Sequence, residues 1–340
     1  MLNWYLMALR RIHINLLTKL ANYTLNRYEC KKEKLRLRSY PPKLYIEIGN
    51  VCNLHCPMCL RQWYKRKEGL MSVNQILRIV EQNPGLIGVG IGGWGEPLLH
   101  AKFPEILRML TLKGIFTALD TNATLVNQHF LDVLEEGVLL LKLVISVDSP
   151  TSGRIRDYPD FEAVRENIRK IAEIRKRKGY PRYLMLSCTV SRSNLNEVED
   201  VVRLAYETGI PSVGAHQVTA FNRRHLEGPY GPPSLEELNE AFRKARTLAK
   251  KLGVSFSACY PLASSRCNNP WTSMFIAWDG TVYPCCMYLK RPLGNIFEQS
   301  LREIWNGREY VEFRRSFREG EEEFCKNCIE GNFHINDLSG

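Results

Sequence analysis

Between residues 43 and 217, short apolar runs alternate with helix-length amphipathic segments, and this alternation constrains the fold more than any other feature. LYIEI (44–48) precedes a helical stretch from Ser72 to Gln82, and LIGVGI (86–91) precedes one at 102–113. FTALD (116–120), LLKLVISV (140–147) and YLMLSCTV (183–190) precede helices at 127–136, 161–178 and 194–208, and a sixth strand is expected at 212–217. Ser72 has the side chain of a helix cap, and Gly137, Gly179 and Gly209 stand where three helices stop. Strands apolar on both faces are strands covered on both sides, so the pattern predicts a parallel sheet wrapped by helices. Six units predict an α/β fold, a partial (β/α)6 barrel.

The flanks differ from this body. Residues 1–42 read as a basic amphipathic helix (1–28) and a linker, KKEKLRLRSYPPK, closed by two prolines. The barrel is expected over 43–225, and LEGPYGPP (226–233) opens a connecting helix and strand up to residue 259. Residues 260–340 form a small, irregular, cysteine-rich C-terminal extension. Of the net charge of +11, the first 43 residues carry +8, from ten Lys or Arg against Glu29 and Glu33. The remaining +3 is spread over a nearly neutral body, which argues against nucleic acid as a partner.

Leu2, Leu6, Leu9, Ile12, Leu16 and Leu20 form a stripe along the first helix, with Asn3, Arg11, Asn15, Thr18, Asn22 and Asn26 on another face. With Trp4, Tyr5 and the basic stretch behind it, residues 1–40 suit peripheral contact with an anionic membrane surface. Packing of the same stripe against the barrel is the competing expectation. No apolar run approaches the roughly 18 residues of a membrane span, and the amino terminus lacks the layout of a secretory signal. Close cysteine spacing without an export signal predicts metal binding in the cytoplasm, a reducing compartment.

NVCNLHCPMCL (50–60) places Cys52, Cys56 and Cys59 directly after the first strand. Working loops of α/β barrels lie at the carboxyl ends of strands. Three thiolates fall one short of a closed zinc site; they suit three irons of a four-iron cubane, leaving the fourth open. A zinc site with a distant fourth ligand is the alternative that spacing leaves standing. GGWGEP (92–97), TNAT (121–124) and SVDS (146–149) end the second, third and fourth strands, where turn-forming residues are also ordinary. Cys267, Cys285 and the pair Cys325 and Cys328 form a second set that spacing alone reads equally as a four-cysteine zinc ribbon. Cys30, Cys188 and Cys259 have no partner at metal-ligand spacing and are expected as buried thiols.

CxxxCxxC at the end of the first strand of six β/α units resembles the signature of the radical S-adenosylmethionine enzymes, over residues 43 to about 217. The resemblance implies that Cys52, Cys56 and Cys59 bind a [4Fe-4S] cluster whose open iron takes S-adenosylmethionine. Reductive cleavage then gives methionine and a 5′-deoxyadenosyl radical, which removes hydrogen from a substrate. It also implies cofactor contacts from Gly93, Gly95 and Glu96, from Asn122, and from Ser146 and Asp148. Met58 stands where the family often has an aromatic residue. PLGNIFEQSLREIWNG (292–307) is similar to the linker helix of SPASM and Twitch extensions, which implies a second, auxiliary [4Fe-4S] cluster on Cys267, Cys285, Cys325 and Cys328, with Cys286 as the competitor of Cys285.

The implied activity is that of an oxidoreductase acting on a small molecule, a lipid or a peptide, served by an electron donor such as ferredoxin or flavodoxin. His216, Gln217, Arg223 and Arg224 are expected on the substrate side, although His216 also suits a hydrogen-bonded core position. A non-enzymatic iron–sulfur or zinc protein holding a partner through its basic arm is the second reading. That reading leaves GGWGEP without a use.

Overall fold

A computed structural model describes residues 2–62, 65–150, 155–219, 227–259, 267–326 and 328, with residues 2–15 described through their backbone alone. Arg223 and Arg224 lie outside the described residues. Six parallel strands form where the apolar runs predict them: β1 (Lys43–Ile46), β2 (Gly88–Ile91), β3 (Phe116–Thr121), β4 (Leu140–Ser146), β5 (Tyr183–Val190) and β6 (Ser212–Gln217). A seventh, β7 (Ser255–Cys259), pairs in parallel with β6. The helices between them are α2 (Val73–Glu81), α3 (Phe103–Leu112), α4 (Gln128–Glu136), α5 (Phe161–Lys178), α6 (Val198–Thr208) and α7 (Leu235–Leu252). Ser72 and Ser234 form capping boxes with Gln75 and Glu237, which is why α2 and α7 begin where they do.

Alternate strand residues divide the sheet into two chemistries. Leu44, Ile46, Val89, Ile91, Leu119, Leu143, Ile145, Leu186 and Val213 are buried in the core shared with the helices. The other face lines the barrel interior and is far more polar. Small residues make room there: a Cβ on Gly90 would lie 2.5 Å from the Tyr45 ring.

The C-terminal extension is more regular than its sequence suggests. It supplies β8 (Ser273–Ile276), β9 (Thr281–Tyr283) and β10 (Gly294–Asn295), which join the same sheet in the order β10-β9-β8-β1-β2-β3-β4-β5-β6-β7. The pairing of β8 with β1 is parallel and in register from Lys43↔Ser273 to Ile46↔Ile276. Short strands of this kind leave little periodicity in sequence, so only the pairing reveals them. The extension also carries the short helices α8 (Asn269–Thr272), α9 (Leu301–Trp305), α10 (Arg308–Glu319) and α11 (Glu323–Lys326).

The N-terminal helix, α1 (Leu2–Lys31), does pack on the barrel, but through the face expected to be polar. Asn22 donates to the carbonyls of Tyr40 and Gly85 and accepts from Tyr40 N–H; Asn26 donates to Ser39 Oγ and the Trp271 carbonyl; Lys19 donates to the Gly114 carbonyl. Tyr40, Gly85 and Gly114 all precede strands, so α1 covers the barrel end opposite the cysteine loop. Most of that surface is backbone, and an amide side chain offers both a donor and an acceptor to it. The leucines face outward: Leu16, Leu17 and Leu20 are 37%, 80% and 50% exposed. The expectation that the stripe serves as core therefore fails for these described residues.

One buried cation ties linker and extension together. Arg314 on α10 is fully buried, sits 4.2 Å from the Trp305 ring and 4.3 Å from the Tyr310 ring, and donates to the carbonyls of Pro270, Leu35 and Trp305. Burial draws its pKa down to about 10, which leaves it charged at neutral pH. Arg314→Met should strand three carbonyls and lower the unfolding free energy by about 3–5 kcal/mol. Chemical denaturation reads this directly; a midpoint no lower than that of the surface variant Arg315→Met would refute it.

Candidate iron–sulfur and S-adenosylmethionine site

The chain leaves β1 at the open end of the barrel and enters the cysteine loop. Asn50 brackets this loop: its side chain donates to the Lys67 carbonyl at 2.8 Å and accepts from Gly69 N–H at 3.0 Å. A tight turn follows, with Cys59 N–H on the Cys56 carbonyl and Gln62 N–H on the Cys59 carbonyl, both at 3.0 Å. Cys56 is buried, with Cys52 and Cys59 half-buried beside it. Leu54, Cys56, Met58, Ile155 and Val218 form a separate apolar cluster over the loop, so Met58 is a packing residue in this structure.

Burial is the main cause that pushes the Cys56 thiol up to about 11, and the other two cysteines add to it. Burial likewise raises Cys52, with Cys59 a further contributor. Like-charged thiolates crowded on one turn are unfavourable alone and become favourable around bound iron, which releases their protons. The donor set thus fits a cationic cluster. Among the described residues, no three His, Cys, Asp or Glu side chains converge as a single ion requires. A tetrahedral zinc with bonds of 2.3 Å would hold its sulfurs about 3.8 Å apart. A cubane instead takes one thiolate to each of three irons and leaves the fourth iron open.

The loops after β2, β3 and β4 close around this turn. GGWGEP lies directly on the cysteine loop: Glu96 N–H donates to the Val51 carbonyl at 2.8 Å. A Cβ on Gly95 would stand 2.3 Å from the Gly49 carbonyl oxygen, and Gly93 has φ +121°, so neither position takes a larger residue without strain. Glu96 is buried and accepts from Leu98 N–H, Thr121 O–H and Asn122 N–H, tying the loop after β2 to the loop after β3. Asn122 donates to Asn53 at 3.1 Å, with its Nδ2 4.0 Å from Cys52 Sγ.

Ser146 and Asp148 end β4. The Ser146 carbonyl accepts from the Tyr158 hydroxyl at 2.7 Å. Asp148 is fully buried and accepts from Thr189 N–H at 2.7 Å, and its other oxygen pairs with Arg156 Nε at 2.7 Å. The Asp148 carboxylate is therefore occupied within the protein, and the group it presents to the site is the Arg156 guanidinium. Arg156 lowers the pKa of Cys56 and His216 alike, so it acts on both cysteine loop and barrel interior. Sequence reasoning missed it; the available signal was a basic residue in the segment between β4 and α5, on the same rim.

One layer deeper, Tyr45 donates to Asp120 across the interior, beside Lys142. Burial raises the Asp120 carboxyl, while Tyr45 and Lys142 pull it back down. His216 shares a hydrogen bond of 3.1 Å with Thr189 Oγ1. Burial, with Arg156, pushes its pKa down to about 4, so its imidazole is neutral at physiological pH. Gln217 points the other way and donates to the Pro233 carbonyl.

The cysteines of the second set act on one another. Burial pushes Cys285 up to about 12, with Cys328 and Cys267 contributing, and Cys325 lies well above the usual range through burial and then Cys285, Cys328, Glu322 and Cys267. Cys267, Cys285, Cys325 and Cys328 are thus electrostatic neighbours. The Cys286 carbonyl accepts from Trp94 Nε1 at 3.3 Å, which joins this region to GGWGEP.

Comparison with known proteins agrees with this layout. The radical SAM superfamily profile matches residues 46–216, and the profile of the SPASM iron–sulfur cluster-binding domain matches residues 267–329. The chain is 26% identical over 299 residues to a tungsten-containing aldehyde ferredoxin oxidoreductase cofactor-modifying protein of Pyrococcus furiosus, covering 80% of this chain and 82% of that protein. It is 25% identical to an AdoMet-dependent heme synthase of Methanosarcina barkeri, covering 85% and 88%. Its fold is similar to that of Streptococcus suis SuiB, crystallised with the precursor peptide SuiA, at a TM-score of 0.70 and 18% identity, covering 94% of this chain and 77% of that one. No helix among the described residues is long and apolar enough to cross a membrane. The chain belongs to the radical S-adenosylmethionine superfamily and carries a SPASM domain, with the S-adenosylmethionine-binding [4Fe-4S] cluster and auxiliary iron–sulfur chemistry that these two domains bring.

Proposed function

We propose that this enzyme abstracts hydrogen from a polar substrate admitted to the barrel interior, with Cys52, Cys56 and Cys59 holding the catalytic cluster. The observation that carries this reading is the cysteine loop braced on one side by GGWGEP and on the other by Asn122. A bound [4Fe-4S] cluster of this class supplies the electron that cleaves S-adenosylmethionine to methionine and the 5′-deoxyadenosyl radical. The glycines at 93 and 95 would let backbone carbonyls approach the methionine amino group, and Arg156, held by Asp148, would offer its guanidinium to the carboxylate. Glu96 positions Asn122 toward the cofactor.

Cys267, Cys285, Cys325 and Cys328 would ligate all four irons of one auxiliary cluster, which leaves no vacancy for substrate and assigns it to electron transfer, as in an oxidoreductase. The interior offers Tyr45, Asp120, Lys142, Thr189 and His216 to the substrate. This polarity favours a peptide or a cofactor-like small molecule over a lipid chain. The relatives named above, a cofactor-modifying protein and a heme synthase, support the same direction.

Anaerobic reconstitution tests the assignment. Wild-type protein should hold about eight irons per chain and form 5′-deoxyadenosine with dithionite, and Cys56→Ala should hold about four and form none. Full iron content and turnover in Cys56→Ala would rule the assignment out.

The outward leucines of α1 favour peripheral membrane docking, because Leu16, Leu17 and Leu20 lie beside the basic stretch that includes Arg27, Lys31 and Lys32. Docked through this face, the barrel opening would point to the aqueous phase, which suits a soluble substrate. Phosphatidylglycerol vesicles should sediment the wild-type chain and bind a Leu17→Glu/Leu20→Glu variant at least about tenfold more weakly. Equal sedimentation would dismiss membrane docking.

A further inference from the structure

Trp94 occupies the centre of GGWGEP, and both of its N–H groups are committed. Its backbone N–H donates to Glu47 Oε1 at 3.2 Å, and its indole N–H donates to the Cys286 carbonyl at 3.3 Å. Glu47 is fully buried and held in two contacts by Arg66, at 3.0 and 2.8 Å, and the Arg66 guanidinium lies 5.4 Å from the Trp94 ring. The next residue, Gly95, is pressed against the carbonyls of Gly49 and Val51, one residue ahead of Cys52. Trp94 is itself 8% exposed, so loss of the Cys286 carbonyl would cost its indole N–H a hydrogen bond that bulk water does not readily replace.

The acceptor is one peptide bond from Cys285. Cys285 and Tyr288 pair across a tight turn, and the thiols of Cys267 and Cys328 act electrostatically on Cys285. A cluster on Cys285 would fix this turn, and the carbonyl of Cys286 with it.

We propose that Trp94 is a positioning residue that couples the two cofactor sites, so that filling the auxiliary site holds GGWGEP in the conformation that binds S-adenosylmethionine. This rests on the cysteine assignment proposed above. The coupling runs from Cys285 through the Cys286 carbonyl and the indole to Gly95 and the backbone beside Cys52. By linkage it is reciprocal: bound S-adenosylmethionine steadies the auxiliary site to the same extent.

The test is a double-mutant cycle read as the dissociation constant of S-adenosylmethionine, by anaerobic equilibrium dialysis of reconstituted full chains. Cys325→Ala/Cys328→Ala removes the auxiliary site, and Trp94→Phe removes the indole N–H while keeping a ring beside Arg66. Loss of the auxiliary site should weaken binding about three- to tenfold in the wild-type background and less than about twofold in Trp94→Phe. Equal losses in both backgrounds, or no loss in the wild type, overturn the proposal. Wild-type protein that assembles its first cluster but binds no S-adenosylmethionine overturns the functional reading itself, a separate outcome. Hydrogen exchange gives a readout that leaves Trp94 untouched. The amides of Trp94 and Glu96 should lose protection in Cys325→Ala/Cys328→Ala, and unchanged protection likewise overturns the coupling.

Discussion

Like charge at close quarters is the constraint around which this molecule is arranged. Cys52, Cys56 and Cys59 occupy one turn, burial and the neighbouring thiols disfavour the Cys52 and Cys56 thiolates, and a cation held among the three sulfurs reverses that balance. The turn cannot rely on its own apolar contacts to hold three such groups in place. It is bracketed by Asn50 against 67–69, pressed from one side by Gly95 and Glu96, and tied from another to Asn122. The braces come from the chain after β1, β2 and β3, so three neighbouring strand ends together shape one loop.

The same economy of charge governs the interior. Asp148 and Arg156 neutralise one another where β4 ends, His216 is held neutral, and Tyr45 satisfies Asp120 beside Lys142. Side chains of both signs are therefore present in the interior, several of them paired or neutral. Glycines on β2 leave the space that Tyr45 fills, which places its hydroxyl one layer beneath the loops.

Sheet continuity makes the extension part of this scaffold. Because β8 pairs with β1 along its whole length, the strand that launches the cysteine loop is also the strand on which the second cysteine set is built. Arg314 reinforces that junction with hydrogen bonds to carbonyls on the linker, α8 and α9. Relative motion of the two sites would break backbone pairing, so the distance between them is set by regular structure.

Much of the fold was legible in sequence because strand–helix alternation is a local signal. LLKLVISV, YLMLSCTV and the capped segments from Ser72 and Ser234 became the expected elements. The three-cysteine loop and GGWGEP were legible for a related reason: their chemistry lies in contiguous residues. What sequence alone left open depended on distant partners. Periodicity marked two faces on α1 but could not say that the surface beneath it was bare backbone, which selected Asn22 and Asn26 over the leucines. Spacing from Gly280 favoured Cys285 over its neighbour Cys286, but only the folded chain brings Cys285 within electrostatic reach of Cys267, Cys325 and Cys328. Arg156 and Trp94 looked like ordinary loop residues until tertiary contacts set one beside Asp148 and the other against the Cys286 carbonyl. Local chemistry determined which elements and loops this chain would form; pairing across long sequence separations decided which side chains meet, because burial and hydrogen-bond satisfaction are properties of the assembled surface.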